Sequence, residues 1–286
     1  MRYLAAALVF TVVLLFPASA RSQDVVLKPT PDSMVTQLML RDGTVLIGKV
    51  IEVTPPTVRF RSSLGESTIA IASVTSARTV ALSAMHDGAI WPEDPSRTRL
   101  LFAPTGRMLR ASETYFTDAY LFFPGVQTGL TDNISIGGGM SLFPGIGPDE
   151  QIFYLTPKVG VVQGPLVNVA VGALVAGAKV LSDYSPFGIG YGVATIGDEE
   201  SSVTVGAGFG FSRSETGSLG LLMVGGTTRV SRGIALVSEN YLSTGSGNRA
   251  LWSGGVRFIG ERLSTDLALA GNGAGAAPYL AFIYRF

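Results

Sequence analysis

The stretch Ser201–Ser212, SSVTVGAGFGFS, alternates between two kinds of residue. Positions 203, 205, 207, 209 and 211 are Val, Val, Ala, Phe and Phe, while positions 204 to 212 between them are Thr, Gly, Gly, Gly and Ser. Side chains of a β-strand point alternately to its two faces, so the segment predicts a strand with one large apolar face. A solvent-facing surface of glycine would be unusual for a soluble sandwich, and lipid is the better partner for the apolar face.

Two preceding segments show the same period. In 187–196, Phe, Ile, Tyr and Val alternate with Gly and Ala, and in 166–179 Val alternates with Asn, Ala and Gly. Either the large face meets lipid and the small face a lumen, or the large face is a sandwich core. The scarcity of Lys and Glu on the second face favours lipid outside, and we expect the large face to point outward in all three segments.

The same rhythm runs from residue 97 to the C-terminus. It predicts an all-β fold, an antiparallel transmembrane β-barrel of about 12 strands, with 10 to 14 as the range. The predicted strands are 98–104, 114–127, 133–143, 151–162, 166–179, 187–196, 201–212, 217–229, 233–243, 250–259, 264–271 and 277–286. Tight polar turns, such as 131–133 and 197–200, alternate with generally longer links, such as 144–150, 181–186 and 244–248, as in outer-membrane barrels.

Composition narrows the class of protein further. The chain has 286 residues, 36 Gly, no Cys, 15% charged residues and no net charge. A balanced charge argues against a nucleic-acid partner, and the lack of cysteine excludes disulfides and thiolate metal sites. Mean hydropathy is +0.38, yet no apolar run long enough for a membrane helix follows the first 20 residues. Short apolar strands in a closed barrel account for both observations.

The first 20 residues have the pattern of a secretory signal peptide. Arg2 precedes an apolar run from Leu4 to Phe16, and Ala18 and Ala20 form a small-x-small cleavage site. The run is too short for a transmembrane anchor, and no cysteine follows it for a lipoprotein anchor. We expect export, with the N-terminal part of the mature chain in the periplasm.

A polar leader at 21–35 precedes a second β-rich region at 36–78. Short alternating segments there are separated by Asp42-Gly43, Pro55-Pro56 and Leu64-Gly65. The run LRDGT at 40–44 and the GKV at 48–50 resemble Sm-like or SH3-like small β-barrels, which implies a small all-β periplasmic domain. A docking role is the better interpretation, because a signal peptide separates this domain from RNA. Residues 79–96 read as a linker.

The C-terminal segment alternates once more and ends in an aromatic residue. Leu280, Phe282, Tyr284 and Phe286 share one face of 278–286. This pattern resembles the C-terminal signal by which the barrel-assembly machinery recognises outer-membrane proteins. The resemblance implies that machinery, and outer-membrane lipid, as partners.

A further resemblance covers about 50 residues. The runs RLLFAPTGR at 99–107, YF at 115–116, LFFP at 121–124 and GGMSLFPG at 138–145 are similar to a block in uncharacterised bacterial outer-membrane barrel proteins. The resemblance implies location and fold only, since that family carries no function to transfer.

The residues of enzymatic barrels are missing from this sequence. The only histidine, His86, lies in the predicted linker, where a solvated loop residue is the simpler interpretation. A hydrolase would lack its usual base. The acidic runs at 149–150 and 198–200 are typical of solvated turns, and Gly137-Gly138-Gly139 lacks the Lys of a phosphate loop. We expect no enzyme, metal site or cofactor.

The barrel interior remains as the candidate site. Polar residues expected on its inner face are Lys158, Asn168, Glu239, Arg257, Asp266 and Arg285. Glu239 and Arg257 lie on neighbouring strands and could pair. Such charges could give selectivity to a narrow pore for small solutes, or neutralise one another in a plugged barrel. The second alternative predicts a non-conducting anchor that presents the N-terminal domain to a periplasmic or cell-wall partner.

Overall fold

A computed structural model describes residues 27–82, 85, 86, 88–180, 183–212, 216–244 and 249–286. The chain divides into two compact units, Met1–Ile90 and Trp91–Phe286. The predicted signal peptide, with Ala18 and Ala20, lies outside the described residues. Within the described ranges, no helix is long and apolar enough to cross a membrane.

The first unit contains a five-stranded antiparallel sheet in the order β4-β3-β2-β1-β5. The strands are β1 (Met34–Leu40), β2 (Val45–Thr54), β3 (Thr57–Ser62), β4 (Gly65–Ala70) and β5 (Val74–Ala81). One face buries a core of Leu38, Val50, Val58, Phe60, Ile69 and Val74. A separate two-stranded hairpin follows, β6 (Met85–His86) with β7 (Ala89–Ile90), so that His86 lies half-buried in a short strand rather than in an open loop.

Thirteen strands of the second unit form one sheet. They are β8 (Thr114–Ala119), β9 (Gly125–Thr131), β10 (Ile134–Met140), β11 (Phe153–Leu155), β12 (Lys158–Gln163), β13 (Val167–Val180), β14 (Asp183–Gly197), β15 (Ser201–Ser212), β16 (Thr216–Ser231), β17 (Ile234–Ser243), β18 (Ala250–Ile259), β19 (Leu263–Asn272) and β20 (Gly275–Arg285). Every pairing is antiparallel, and β20 pairs with β8 to close the sheet. Since β11 and β12 share one position between β10 and β13, the predicted antiparallel barrel of twelve wall strands is confirmed.

Two strand assignments were wrong although the total was right. Residues 98–104 are not part of the wall, and the predicted strand 114–127 is two strands, β8 and β9. The chain turns between them because Tyr120 and Leu121 adopt positive φ angles of 58° and 63°, a conformation that ends a strand. The turn contains no Gly, Asn or Asp at the positive-φ positions, but Pro124-Gly125 ends it, and this turn signal lies inside the predicted strand 114–127.

The wall has one rim of short turns. The connections at 132–133, 164–166, 198–200, 232–233 and 260–262 lie at this rim, as predicted. On the opposite rim, a long link was predicted at 181–186. The observed link is shorter, because β13 continues to Val180 and β14 begins at Asp183. We refer to the first rim as the short-turn rim.

The direction of the apolar face differs between neighbouring strands. In β15 the large residues point outward as predicted, and Val203 and Phe209 are exposed. In β14 the prediction was wrong: Val193 and Thr195 are buried on the inner face, and the glycines point outward. The rings of Phe209 and Phe211 lie over outward Gly190 and Gly188, so aromatic side chains of β15 cover the bare backbone of β14.

Candidate functional site

The barrel interior is occupied by residues 92–110, which we call the inner hairpin. Its two arms pair through Leu100 N to Ala103 O at 2.8 Å and Thr105 N to Thr98 O at 3.0 Å, with the tip at Leu101 and Phe102. The buried side chains of Leu100, Leu101 and Met108 pack in one cluster with inward wall residues of β13, β14, β16, β17, β19 and β20. The predicted strand 98–104 therefore fills the barrel, which explains why it lacks the outward apolar face of the wall strands.

Arg257 of β18 is the most buried charge of the interior, with 1% of its surface exposed. Its Nε and Nη2 donate to the two carboxylate oxygens of Asp266, at 2.6 and 2.9 Å. Nη1 donates to Oδ2 of Asp94 at 2.9 Å, and Nη2 also donates to the carbonyl of Leu100 at 2.6 Å. One guanidinium thus joins the wall to both the base and the tip region of the hairpin.

Glu239 of β17 is also buried and binds the tip of the hairpin. Its Oε2 accepts hydrogen bonds from the backbone N–H groups of Phe102 and Ala103, both at 2.9 Å. Its Oε1 accepts the hydroxyl hydrogen of Tyr241 at 2.7 Å. Among the described contacts, Glu239 and Arg257 form no ion pair with each other. The two residues predicted to pair each bind the inner hairpin instead.

The returning arm of the hairpin lies on the wall at Gly106. Thr195 accepts the Gly106 N–H at 2.8 Å, and Nζ of Lys158 donates to the carbonyl of Arg107 at 2.6 Å. A Cβ atom on Gly106 would collide with the backbone carbonyl of Asn168. Lys158 and Asn168 are therefore buried beneath the hairpin, where they touch its backbone rather than open water.

A cluster of ionic groups closes the short-turn rim around Glu93. The carboxylate of Glu93 lies 2.8 Å from Arg97, 2.6 Å from Arg110 and 2.8 Å from Arg285 of β20. Burial opposes ionisation of Glu93, but the hydrogen bond from Arg110 and the charges of the arginines prevail and lower its pKa to about 2. Arg97 also pairs with Glu113, and Arg285 lies 3.7 Å from the same carboxylate.

The hairpin's own charges were missed in the sequence. Asp94 was assigned to a linker, and Arg97, Arg99 and Arg107 to a wall strand and its edge. A signal was present, since four arginines fall within 97–110 and the segment lacks the alternation of the wall strands. A strand facing lipid could not carry that density of charge.

The four residues of the predicted assembly signal lie on the outer surface of the barrel. Leu280, Phe282, Tyr284 and Phe286 share the outer face of β20, where Phe282 lies 6.0 Å from Phe116 and Tyr284 5.6 Å from Phe286 between ring centres.

The acidic turns are used by the backbone. Oδ1 of Asp198 accepts the N–H groups of Glu200 and Ser201, at 2.9 and 2.8 Å, and Oε2 of Glu150 accepts that of Gly147 at 3.1 Å. These carboxylates close tight turns, which accounts for their place in the sequence.

Comparison with known proteins gives likenesses only at the level of solved structures. No protein-family model and no curated protein sequence matches the chain. It is similar to the KdgM porin in complex with disordered oligogalacturonate, with a TM-score of 0.48 and 6% identity over 61% of this chain and 98% of that one. It is also similar to the outer-membrane expressed OmpT of Vibrio cholerae, with a TM-score of 0.37 and 11% identity over 89% of this chain and 95% of that one.

Proposed function

We propose that this protein is an outer-membrane β-barrel, closed by its own inner hairpin, that anchors the N-terminal β unit in the periplasm. Outer-membrane lipid and the barrel-assembly machinery are its proposed partners, with an envelope protein or a cell-wall component as partner of the N-terminal unit. No catalytic group, metal or cofactor is needed for this role.

The outer surface of the barrel supports a membrane location. Large apolar side chains are exposed along most of the wall, among them Leu130, Val161, Val203, Phe209, Leu236 and Leu267. Soluble monomers rarely expose apolar surface on this scale. In lipid, hydrocarbon covers these apolar side chains. The closed sheet also pairs the backbone groups that hydrocarbon cannot solvate.

The interior favours an anchor over an open pore. The observation that carries this conclusion is that Glu239 and Arg257, the charges best placed to line a water-filled lumen, bind the hairpin backbone. A buried carboxylate and guanidinium with these partners are expensive to separate, because removing one partner leaves an uncompensated charge in a dry interior.

The orientation follows from the short-turn rim. Trp91 and Pro92, where the second unit begins, contact Arg229 near that rim: the guanidinium lies 4.9 Å from the Trp91 ring centre and 2.8 Å from the Pro92 carbonyl. Short turns face the periplasm in outer-membrane barrels. The chain ahead of Trp91 would then be periplasmic.

A narrow pore for small solutes is the second candidate. It is favoured by the small inward residues Gly206, Gly208 and Gly225, the last of which lies directly against Leu100 of the hairpin. If the hairpin left the barrel, these positions would leave space for water. Conduction would then require movement of the hairpin.

Conductance in planar bilayers tests both candidates with the full-length mature protein. The chain has no cysteine, and the hydroxyl oxygens of Ser96 on the hairpin and Ser264 on β19 lie 2.5 Å apart. The double variant S96C/S264C therefore offers a disulfide that fixes the hairpin in place. Heat-modifiable migration on gels verifies that each protein is folded.

We expect no current through wild type or the oxidised double variant, because a non-conducting anchor passes no ions. Steady current steps from wild type that disappear on oxidation of S96C/S264C, and return on reduction, would replace the anchor with a pore gated by the hairpin. Current that persists after oxidation would contradict the closed interior itself.

A further inference from the structure

We propose that the barrel also binds an apolar hydrocarbon group, in a cavity between the tip of the inner hairpin and the wall strands β13 to β17. The cavity has a volume of about 80 Å³ and is partly open to solvent. Its floor is Phe102 and Pro104, and its walls are formed by Leu174, Ile189, Tyr191, Leu221, Met223 and Tyr241. This site goes beyond the anchoring role and does not depend on it.

Phe102 is the feature that points to a ligand. It is 61% exposed, whereas its neighbours Leu101 and Ala103 are 2% and 5% exposed. The Phe102 N–H is bound by Glu239 at 2.9 Å, so the backbone that carries the ring is fixed. A phenyl ring is thus held toward empty space inside the barrel, although the rest of the hairpin's apolar surface is buried. Covering this ring with hydrocarbon would be favourable.

The cavity is lined by few polar atoms, and one of its two tyrosine hydroxyls already has a partner. The hydroxyl of Tyr241 donates to Glu239 at 2.7 Å. The hydroxyl of Tyr191 lies against the backbone of Gly172, where a Cβ atom would collide with it. The remaining wall side chains are hydrocarbon or thioether. A sugar or an ion would lose most of its water here for few new hydrogen bonds, which disfavours those classes of ligand.

The surface of the cavity therefore selects for an aliphatic or aromatic group. Apolar cavities are poorly hydrated, so a hydrocarbon group would displace little bound water there. The hydrocarbon could be an acyl chain of a membrane lipid or a free apolar solute. The chemistry of recognition is the same for both, so the experiment must distinguish the two sources.

Fluorescence quenching with a reporter at the cavity floor provides this test. The substitution F102W, made together with W91F and W252F, leaves one indole, which faces the cavity. A companion protein with W91F alone keeps Trp252, which lies on the outer face of β18 and is exposed. Both full-length proteins are placed in phosphatidylcholine vesicles. Bromobenzene serves as the free solute, and phosphatidylcholine with brominated acyl chains as the lipid source.

We expect saturable quenching of the F102W reporter, with half-quenching at a bromobenzene concentration at least tenfold below that for Trp252. In the F102W protein, the further substitution Ile189→Phe fills the cavity. It should raise the half-quenching concentration of bromobenzene at least tenfold. Ile196→Phe is the matched control, because Ile196 is an exposed residue on the outer face of the same strand; it should change nothing. Quenching by the brominated lipid as well would identify an acyl chain as the bound group, and quenching by bromobenzene alone a free solute.

Three results would overturn the proposal. The first is no quenching of the F102W reporter by either probe, and the second is quenching that rises linearly with bromobenzene concentration, as for Trp252. The third is an equal effect of Ile189→Phe and Ile196→Phe. None of them would alter the conductance results, so failure of this site and failure of the anchor remain distinguishable.

Discussion

Arg257 of the barrel wall binds Asp94 of the inner hairpin inside the barrel, with Nη1 and Oδ2 2.9 Å apart. The same guanidinium binds Asp266 of the neighbouring strand at 2.6 Å. One cation thus compensates two buried carboxylates, one on the wall and one on the hairpin. The hairpin is part of the electrostatic balance of the wall, since its removal would leave Arg257 and Asp266 with fewer partners in a dry interior.

Loss of Arg257 should destabilise the barrel strongly. Arg257→Leu leaves two carboxylates buried without a cation, and we expect a loss of about 3 to 5 kcal/mol in the free energy of unfolding. Urea unfolding in vesicles, followed by heat-modifiable migration, measures this quantity. Arg232→Leu is the control, because the Arg232–Glu261 pair is exposed and 3.9 Å apart, and such pairs contribute at most about 1 kcal/mol. Similar effects of the two variants would show that the Arg257 cluster does not form.

Glu239 should control the local stability of the hairpin tip. Glu239→Ala removes the acceptor for two backbone N–H groups. We expect the local stability of the tip to fall by about 1.4 kcal/mol or more, which corresponds to at least tenfold faster hydrogen exchange at Phe102 and Ala103. Mass spectrometry of the peptide that covers 98–105 measures the rate. The control is Asn240→Ala, which changes the adjacent residue of the same strand. We expect it to leave the hydrogen-exchange rate of the 98–105 peptide unchanged. Unchanged exchange in Glu239→Ala would contradict the contact.

Most of the wall of the barrel was predictable, whereas the contacts of its filling were not. Strands such as β15 have a period of two that depends only on which residues point outward and which inward, so 201–212 alone predicted the correct element. The inner hairpin follows a different rule, because it is covered on all sides by protein and carries charges that have partners only in the folded barrel. Asp94 and Arg257 are distant in sequence, and nothing local indicates that they meet. The reversed face of β14 has the same origin: Val193 points inward and packs in one cluster with Leu100 and Leu101 of the hairpin.

Acid should weaken the cluster at the short-turn rim progressively between about pH 4.5 and pH 2. The pKa of Glu93 falls from its ordinary value of 4.5 to about 2, despite the opposing effect of burial, because Arg110, Arg97 and Arg285 surround it. A carboxyl group whose folded-state pKa is depressed stabilises the protein above its unfolded-state pKa. That contribution, on the order of 3 kcal/mol, disappears as the pH falls from about 4.5 to about 2.

The variant Glu93→Gln isolates this effect from that of other carboxylates. We expect wild type to exceed Glu93→Gln in unfolding free energy at pH 7, and the difference to shrink steadily between pH 4.5 and pH 2. Urea titrations at successive pH values measure both proteins. A difference that does not vary with pH in this window would mean that the ionised carboxylate of Glu93 contributes nothing to the folded barrel.

Gly106 should be the position at which the hairpin tolerates least change. A Cβ atom there would collide with the carbonyl oxygen of Asn168, and neither backbone can move while Thr195 and Lys158 hold the hairpin at both sides. Gly106→Ala should therefore cost about 2 kcal/mol or more, and should expose the hairpin to protease. Gly192→Ala is the matched control, because Gly192 lies on an outward face where an added Cβ meets only Val171, at 4.0 Å. It should leave both the unfolding free energy and the cleavage rate unchanged. If Gly106→Ala behaves like Gly192→Ala, the returning arm does not lie against β13, and the closed interior from which the anchor was inferred would have to be abandoned.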